Sequence, residues 1–282
     1  MQERQTKLIT TMKKLFLLVA AMFAAVSFSA CSDDDDNGHV SDKPVLVKQY
    51  IVTEVGEYTE TYNIEYDSQN RISRIYTKRS SSEKEYSFSY EGNMLTVTDT
   101  ETDYDYNDNG DPYIYTTITK CELNKDGYIE KAIDTYYDNG DYTLFSYKDG
   151  YLQSIQSKNS LPKCIYNWNN GNLVSYENGA EVTTITYSQV VATPTNLDLN
   201  FVDEYYGSYN FWGFLGKKSK NLPEKLVIKP KESADTLTTT YQYELNSNKT
   251  ISKILVSEVQ TGDHNESRNY SIKFVYWPAL IF

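Results

Sequence analysis

A short acidic segment carries oxygen ligands at alternating positions. Asp105, Asn107 and Asn109 precede Gly110, as in the first half of a calcium-binding loop, where side-chain oxygens alternate and glycine permits the sharp turn. The second half does not match, because Thr116 stands where a bidentate glutamate is needed. An Asn-Gly pair between strands is also a strong hairpin signal. We therefore predict a plain turn, with a calcium site at Asp105, Asn107 and Asn109 as the alternative, and no cofactor.

The sequence contains no recognisable catalytic constellation. His39 and His264 have neither a cysteine nor a second histidine close by in the chain, which predicts surface side chains rather than a zinc site or a histidine-based triad. The acidic residues offer no distinctive carboxylate pair of the kind that cleaves glycosides. We predict that the protein is not an enzyme, and a polysaccharide-acting enzyme is the alternative.

One cysteine is placed for covalent modification. Lys13 and Lys14 precede an apolar run that ends in Ser29-Ala30-Cys31. A basic start, an apolar core and small residues before a cleavage point predict a secretory signal. Because cysteine follows the small residues directly, the site resembles a bacterial lipobox, although Phe28 stands where that motif usually has leucine. The prediction is a lipid on Cys31 that tethers the chain to a membrane; the alternative is an ordinary signal with an incidental cysteine.

An acidic linker follows this cysteine. Residues 32–44 include four consecutive aspartates and lack apolar periodicity, so we expect disorder there. The aspartate run resembles the surface-export tag of Bacteroidetes lipoproteins, which implies a surface-exposed outer-membrane lipoprotein. The chain then divides into a signal peptide over 1–30, the lipidated Cys31 with its linker over 31–44, and a single β domain over 45–282. Translation can start at Met1 or at Met12.

Composition restricts the partners. The net charge of −12 repels phosphate backbones and argues against nucleic acid. The 27 tyrosines, against 10 phenylalanines and 3 tryptophans, suit half-buried pleated surfaces, where the ring is buried and the hydroxyl reaches water. We expect a monomeric binding or structural module that contacts the membrane through the Cys31 lipid and takes a glycan or a protein as its ligand.

Alternating apolar runs joined by short polar turns recur along the chain. The unit FSYKDGYLQSI at 145–155 has variants at 62–75, 86–97, 121–133, 164–176 and 241–254. Each predicts a β-hairpin, and together they predict an all-β antiparallel meander of about 14–16 strands, strongly curled or closed as a barrel-like sheet. One face should be covered; it carries Tyr62, Ile64, Tyr66, Tyr86, Phe88, Tyr90, Cys164, Tyr166, Trp168, Tyr241, Tyr243 and Leu245.

An aromatic-rich insertion interrupts the hairpins at residues 189–222. A closed barrel of about sixteen strands is too wide for its own side chains to fill, so we predict that this insertion folds inward as a plug. The alternative is an exposed aromatic patch for a partner. The ligand-binding candidates are then Tyr205, Tyr206, Tyr209 and Trp212.

Two further cysteines lie on the covered faces of different hairpins. In a meander, Cys121 and Cys164 are four strands apart, or about 19 Å at ~4.8 Å per strand. A disulfide needs Cα atoms within about 7 Å. We predict two buried thiols, unless curvature of the sheet brings them together.

Two segments of the insertion carry a family resemblance. Asn196-Leu197-Asp198-Leu199-Asn200 and the later run FLGKKSKNLP at 214–223 resemble the signature of a Bacteroidetes surface lipoprotein family of unknown function with a porin-like fold, built from tyrosine-rich hairpin repeats. The resemblance covers residues 45–280 and implies a curled antiparallel β architecture without an assigned activity. An integral outer-membrane barrel is an alternative, since the chain ends on Phe282 and aromatic residues precede its turns like a girdle.

Overall fold

The described part of the chain contains β-strands and no helix. The computed structural model describes residues 20–21, 45–54, 58–104, 111–134, 140–158, 163–191, 193, 197–198, 213–263 and 265–278. Within these ranges, no helix has the length and apolarity needed to cross a membrane. The strands are β1 (Ala20–Ala21), β2 (Val47–Glu54), β3 (Thr59–Tyr66), β4 (Ile72–Lys78), β5 (Ser82–Glu91), β6 (Met94–Asp103), β7 (Tyr113–Leu123), β8 (Ile129–Asp134), β9 (Thr143–Lys148), β10 (Tyr151–Ser157), β11 (Cys164–Asn169), β12 (Asn172–Glu177), β13 (Glu181–Tyr187), β14 (Leu197–Asp198), β15 (Pro223–Pro230), β16 (Thr236–Leu245), β17 (Ile251–Thr261) and β18 (Glu266–Tyr276).

Sixteen of the described strands form one closed barrel. From β2 to β18, with β14 left out, each strand pairs with its neighbour in the chain, and β18 pairs with β2 to close the sheet. All these pairs are antiparallel, and the closing ladder joins Tyr270 to Glu54 and Phe274 to Tyr50. The short strands β1 and β14 pair separately. The predicted all-β antiparallel meander that closes as a barrel is confirmed.

Apolar side chains face the inside of the barrel. In β2, Tyr50 and Val52 are buried whereas Lys48 and Thr53 are exposed, as the period-two geometry of a strand requires. Side chains on the outer wall of a closed barrel are exposed, so side chains this deeply buried must point inward. The buried residues of all sixteen strands join Phe214, Leu215 and Leu222 in one apolar cluster.

The interior is filled rather than open. A circular barrel of sixteen strands would enclose a water-filled channel. Instead, Tyr50, Ile72, Leu95, Ile155 and Ile254, from five different strands, are fully buried at 0% exposure. Side chains buried to this degree indicate a packed core rather than a channel.

The two ends of the barrel differ in their connections. At the turn end, two to five residues join β3 to β4, β5 to β6, β7 to β8, β9 to β10, β11 to β12 and β16 to β17. The same end holds the start of β2, the end of β18 and the long connection between β13 and β15. The remaining connections lie at the opposite end, called the loop end here.

Aromatic side chains fasten the strands at the turn end. Among the described residues, seven of them donate a hydrogen bond from the end of one strand to a carbonyl near the start of the preceding barrel strand, over 2.5–2.9 Å. In four cases, Tyr66, Trp168, Tyr187 and Tyr276, the ring directly follows a register shift. Such a shift changes the direction of a side chain, and here it turns the ring toward the neighbouring strand.

Residues 213–222, called the mouth segment here, cover the turn end. The backbone carbonyl of Phe214 accepts from Ile129 N at 3.0 Å, and Lys217 N donates to Gly150 O at 2.7 Å. Phe214 and Leu215 are 2% and 7% exposed. The predicted plug therefore has its last ten residues at the mouth of the barrel, while residues 199–212 lie outside the described residues.

Leu245 does not lie on the covered face, contrary to the prediction. Its side chain is 38% exposed, whereas Tyr241 on the same strand is buried. A register shift between Glu244 and Leu245 interrupts the ladder with β17. Because one extra residue moves every later side chain to the other face, the alternation that holds through Tyr243 fails at Leu245.

Cys121 and Cys164 are both buried, and no disulfide joins them. They lie on β7 and β11, which are separated by three other strands in the barrel order. Burial raises the pKa of the Cys121 thiol. The prediction of two buried thiols is confirmed for this pair.

Candidate functional site

The site residues predicted from the sequence lie outside the described residues. This holds for the lipidation site Cys31, for the calcium alternative Asp105, Asn107 and Asn109, for the aromatic candidates Tyr205, Tyr206, Tyr209 and Trp212, and for both histidines, His39 and His264. Across the described ranges, no three His, Cys, Asp or Glu side chains form a group that could hold a metal ion. A candidate site must therefore be sought in the barrel itself.

The loop end of the barrel interior is charged. Glu54 and Arg268 occupy the inward positions that follow Tyr50 and Val52 on β2 and precede Tyr270 on β18. Arg268 donates to both carboxylate oxygens of Glu54, with Nη2 at 2.8 Å from Oε2. The two residues are on the strands that close the barrel, so this bidentate pair fastens the closing ladder at its loop end.

A second bidentate pair joins Glu60, on the neighbouring strand β3, to Arg79, which directly follows β4. Arg79 Nε is 2.9 Å from Glu60 Oε1, and Arg79 Nη2 is 2.5 Å from Glu60 Oε2. Glu60 is only 3% exposed. The hydroxyl of Thr77 donates to the same carboxylate at 3.3 Å. A buried carboxylate with this many donors is held in one orientation, because each oxygen is satisfied.

Tyrosine rings lie beside the cations at this end of the barrel. The Arg79 guanidinium lies 5.2 Å from the centre of the Tyr58 ring, and the Arg268 guanidinium lies 4.8 Å from that of Tyr270. Lys84 Nζ lies 5.3 Å from the Tyr86 ring centre. Distances below about 6 Å between a cation and an aromatic face are favourable. The positive charges are therefore stabilised by aromatic rings as well as by carboxylates.

Two inward acids at this end have raised pKa values. Burial raises the pKa of Glu258, although Arg268 and the hydroxyl of Tyr270 lower it. That hydroxyl lies 3.3 Å from Glu258 Oε1. Burial also raises the pKa of Asp99, while Lys84, with Nζ 3.7 Å from Asp99 Oδ2, acts in the opposite direction. In both cases the removal of the carboxylate from water is the larger effect.

A cavity of about 280 Å³ opens at the loop end, on the other side of the interior. Four of its lining residues belong to one level of the barrel, where Ile228 pairs with Leu237 and Leu237 pairs with Gln260. Tyr176 is the fourth of these, two strands from Ile228. The complete lining is Tyr176, Glu181, Ile228, Pro230, Ser233, Asp235, Leu237 and Gln260. It combines an apolar wall with carboxylate, amide and hydroxyl groups.

Thr183 lies in the same level of the barrel without a hydrogen-bond partner. It pairs with Tyr176 on one side and with Ile228 on the other, so it stands between two lining residues. Thr183 is 0% exposed, and no described residue forms a hydrogen bond with its Oγ1. The Tyr50 hydroxyl, which is also buried, likewise has no hydrogen-bond partner among the described residues. Buried hydroxyl groups usually have partners, so each requires an explanation.

Gly262 fixes the rim of this cavity. A Cβ at this position would lie 2.5 Å from Asp235 Oδ1 and 2.6 Å from Asp235 Cα, and its φ of +128° disfavours other residues. The β15–β16 and β17–β18 connections can therefore approach this closely only because residue 262 has no side chain. The position of Asp235 at the rim depends on this close approach.

The inward charges have a sequence signal, although they are not among the predicted site residues. Glu60 stands two residues before Tyr62 and four before Ile64, so it is in phase with the covered face. Glu258 is likewise in phase with Ile254 and Val256. Charged residues in phase with an apolar face identify inward charges. The cavity has no such signal, because its lining comes from five strands and one connection.

Comparison with solved structures identifies the architecture. A porin-like protein from Bacteroides uniformis matches with a TM-score of 0.62 and 17% identity, over 82% of this chain and 98% of that chain. The two share a fold. A porin-like protein from Bacteroides vulgatus matches with a TM-score of 0.34 and 15% identity, over 83% of this chain and 99% of that chain. No protein-family model matches the chain, and no curated protein matches it.

Proposed function

We propose that the protein is a lipid-anchored, non-catalytic binding module of the outer membrane, exposed on the cell surface and tethered through Cys31. The observation that carries this proposal is the direction of the side chains, with an apolar cluster in the interior and charged residues paired on the outer wall. A barrel embedded in lipid has the opposite arrangement, with an apolar band outside and polar groups inside.

The outer wall carries ion pairs that a lipid environment would have to bury. Lys131 Nζ on β8 lies 2.9 Å from Glu122 Oε1 on β7, and Arg74 on β4 lies 2.5 Å from Glu85 on β5. These pairs stand on the face opposite to the apolar core. In water they need no burial of charge, whereas in hydrocarbon each would carry a large desolvation cost.

The position of the first barrel strand gives the proposed tether a direction. β2 begins with Val47 at the turn end, where the Val47 carbonyl accepts from Tyr66 Oη at 2.6 Å. A lipid on Cys31 would therefore attach through the linker to the turn end. The loop end, with its charged interior and its cavity, carries no such attachment, and we propose it as the surface available to a glycan or a protein ligand.

The anchor is tested by changing Cys31 to serine in the full chain and separating membranes from soluble protein. We expect Cys31→Ser to move the protein into the soluble fraction, because no acyl chain remains to hold it. The matched control is Ser32→Ala, which alters the next residue and leaves the thiol in place. This control should stay with the membrane.

The opposite result would support an integral barrel. If Cys31→Ser protein stays in the membrane after an alkaline carbonate wash, the barrel wall rather than a lipid holds it. That outcome would remove the lipid-anchor proposal.

A further inference from the structure

We propose that the chain forms an internal isopeptide bond, an amide between the side-chain amine of Lys84 on β5 and the side-chain carboxyl of Asp99 on β6. Glu101, also on β6, transfers the protons. The three side chains meet at the loop end of the barrel interior. Such a bond is a modification of the chain itself, so it depends neither on the proposed anchor nor on a ligand.

The register of the β5–β6 ladder brings the three side chains to one face. Lys84 stands two residues before the buried Tyr86 on β5, and Asp99 pairs with Tyr86 across the ladder. Glu101 pairs directly with Lys84. Alternation along each strand therefore points all three side chains inward. Directly opposite and diagonal positions on one face lie within reach of a long side chain, so Lys84 can reach both acids.

The Lys84 amine lies at the same distance from both acids. Its Nζ is 3.7 Å from Asp99 Oδ2 and 3.7 Å from Glu101 Oε2. An N–H···O hydrogen bond measures about 2.7–3.2 Å, and Lys131 Nζ on the outer wall lies 2.9 Å from Glu122 Oε1. The amine of Lys84 is thus close to a carboxyl carbon and to a proton acceptor at once, which an amide-forming reaction requires.

The second oxygen of Asp99 supplies an independent indication within the same site. Asp99 Oδ1 is buried, and no described residue forms a hydrogen bond with it. Glu60, at the same end of the barrel, has donors on both of its oxygens, as a buried carboxylate usually does. Amide formation removes one Asp99 oxygen as water and removes the negative charge, so the product buries a less costly group.

The surroundings favour the reaction. The Lys84 side chain is 13% exposed, against 30% for Lys131 on the outer wall, so little water competes for the carboxyl carbon. Burial raises the pKa of Asp99, which increases the fraction of carboxylic acid, the form that an amine attacks. The Glu101 side chain is 51% exposed and can exchange protons with the solvent.

The reaction balances without an oxidant or a cofactor. The Glu101 carboxylate accepts a proton from the Lys84 ammonium, and the resulting amine attacks Cγ of the Asp99 carboxylic acid. Glu101 then donates this proton to the Asp99 hydroxyl, the C–O bond breaks, and water leaves. Glu101 accepts a second proton from the new amide nitrogen and releases it to the solvent. The products are one amide, one water molecule and one proton.

The test is peptide mapping of the denatured full chain by tandem mass spectrometry. Trypsin cleaves after lysines with an unmodified amine, so we expect no cleavage after Lys84 and normal cleavage after Lys131, the matched lysine of the outer wall. Further digestion with chymotrypsin cuts after Tyr86 and Tyr90, between the two joined residues. It should release a branched peptide that contains Lys84 and Asp99 and is lighter than its two parts by one water molecule.

Two variants assign the roles. Asp99→Ala should restore cleavage after Lys84 and abolish the branched peptide, because no carboxyl remains to be attacked. Glu101→Gln should slow formation of the bond about a hundredfold, so freshly synthesised variant should contain mainly the open form. The matched control is Glu83→Gln, which removes a carboxylate of an exposed ion pair with Lys78. This control should be cross-linked as the wild type is.

Several results would overturn the inference. Complete cleavage after Lys84 in the wild type, a branch that joins Lys84 to Glu101, or a branched peptide that persists in Asp99→Ala would each remove the proposed bond. Formation at the wild-type rate in Glu101→Gln would remove the role of Glu101. None of these results depends on how the protein is held to the membrane, so the fractionation of Cys31→Ser decides the proposed anchor separately.

Discussion

Buried tyrosine hydroxyls fall into two groups in this barrel. Those at the turn end donate to a backbone carbonyl, as Tyr243 does to Pro223 O at 2.6 Å. Tyr50, in contrast, stacks on Tyr62 with ring centres 4.5 Å apart, and its hydroxyl has no hydrogen bond to any described residue. The same side chain thus contributes a directed bond in one place and only packing in the other.

This difference predicts opposite effects of the same substitution. Tyr243→Phe should lower the free energy of unfolding by about 1 kcal/mol, because it removes a hydrogen bond and leaves a carbonyl unsatisfied. Tyr50→Phe should leave stability unchanged or raise it, since it removes a buried hydroxyl without a partner. Denaturant unfolding of both variants measures this, and equal losses would contradict the distinction.

The buried carboxyl of Glu258 predicts a pH-dependent stability. Burial raises its pKa above the usual 4.5, so the folded protein binds this proton more tightly than the unfolded chain does. Ionisation then opposes folding, and the loss of stability begins near pH 4.5 and grows as the pH rises through the raised pKa.

Glu258→Gln removes this ionisation. At pH values above the raised pKa, the variant should be more stable than the wild type, because glutamine has no charge to bury. The difference should shrink as the pH falls to 4.5. Thermal or denaturant unfolding across this range measures it. A difference of constant size at every pH would show that the burial of charge is not the cause.

At the scale of single residues, the inward direction of Glu60 could have been predicted and its partner could not. Glu60 stands two residues before Tyr62 in the sequence, so the alternation of the strand places both side chains on the same face. The pairing with Arg79 depends on the path of the chain through β3 and β4, whose side chains meet only after the hairpin forms. Asp235 at the cavity rim depends on contact with Gly262, 27 residues away, which no local pattern indicates.

Among the elements, the mouth segment depends on one close contact. Gly216 forms a bridge with Tyr151 and has a φ of +95°. A Cβ there would lie 2.5 Å from Gly150 O and 3.1 Å from the Tyr147 ring. The segment can therefore lie against the β9–β10 turn only because residue 216 has no side chain.

Gly216→Ala should displace this segment and lower the free energy of unfolding by about 3 kcal/mol, from backbone strain and overpacking together. The matched control is Gly92→Ala, where φ is +59° and no atom lies within 4 Å of the added Cβ. That control carries the strain alone and should cost about 1 kcal/mol. Similar losses in the two variants would show that the contact with Gly150 is not important.

Elements whose signals are local were predictable. The apolar residues that follow the turns, such as Ile72, Leu152 and Ile251, are the first or second residues of strands and are buried, because the turn and the alternation together set the register. The failure at Leu245 has the same origin, since a register shift leaves no mark in the sequence. The short ladder between β8 and β9, with two registered pairs, also has no sequence signal.

For the whole molecule, the filled interior predicts the absence of a pore. Full-length protein reconstituted in a planar bilayer should give no stepwise ion conductance, because fully buried side chains such as Tyr50 and Leu95 occupy the space where a channel would run. An open porin of similar strand number is the positive control. Stable conductance steps would contradict the packed interior.

Closure of the barrel was predictable only in part. The number of strands exceeds what a flat sheet usually carries, which indicates curling. The ladder between β18 and β2 joins residues such as Tyr270 and Glu54. The sequence around either residue contains no signal that predicts this pairing. The other ladders join strands that follow each other in the barrel order, so only this last one joins the first barrel strand to the last.

That last ladder has a consequence for biosynthesis. β2 leaves the ribosome first among the barrel strands and β18 last, yet the two must pair with each other. Until synthesis is almost complete, the nascent sheet has two open edges, and open edges invite pairing with other chains. A product that stops before Glu266 should consequently aggregate or be degraded, whereas shortening the chain after Tyr276 leaves every partner strand in place.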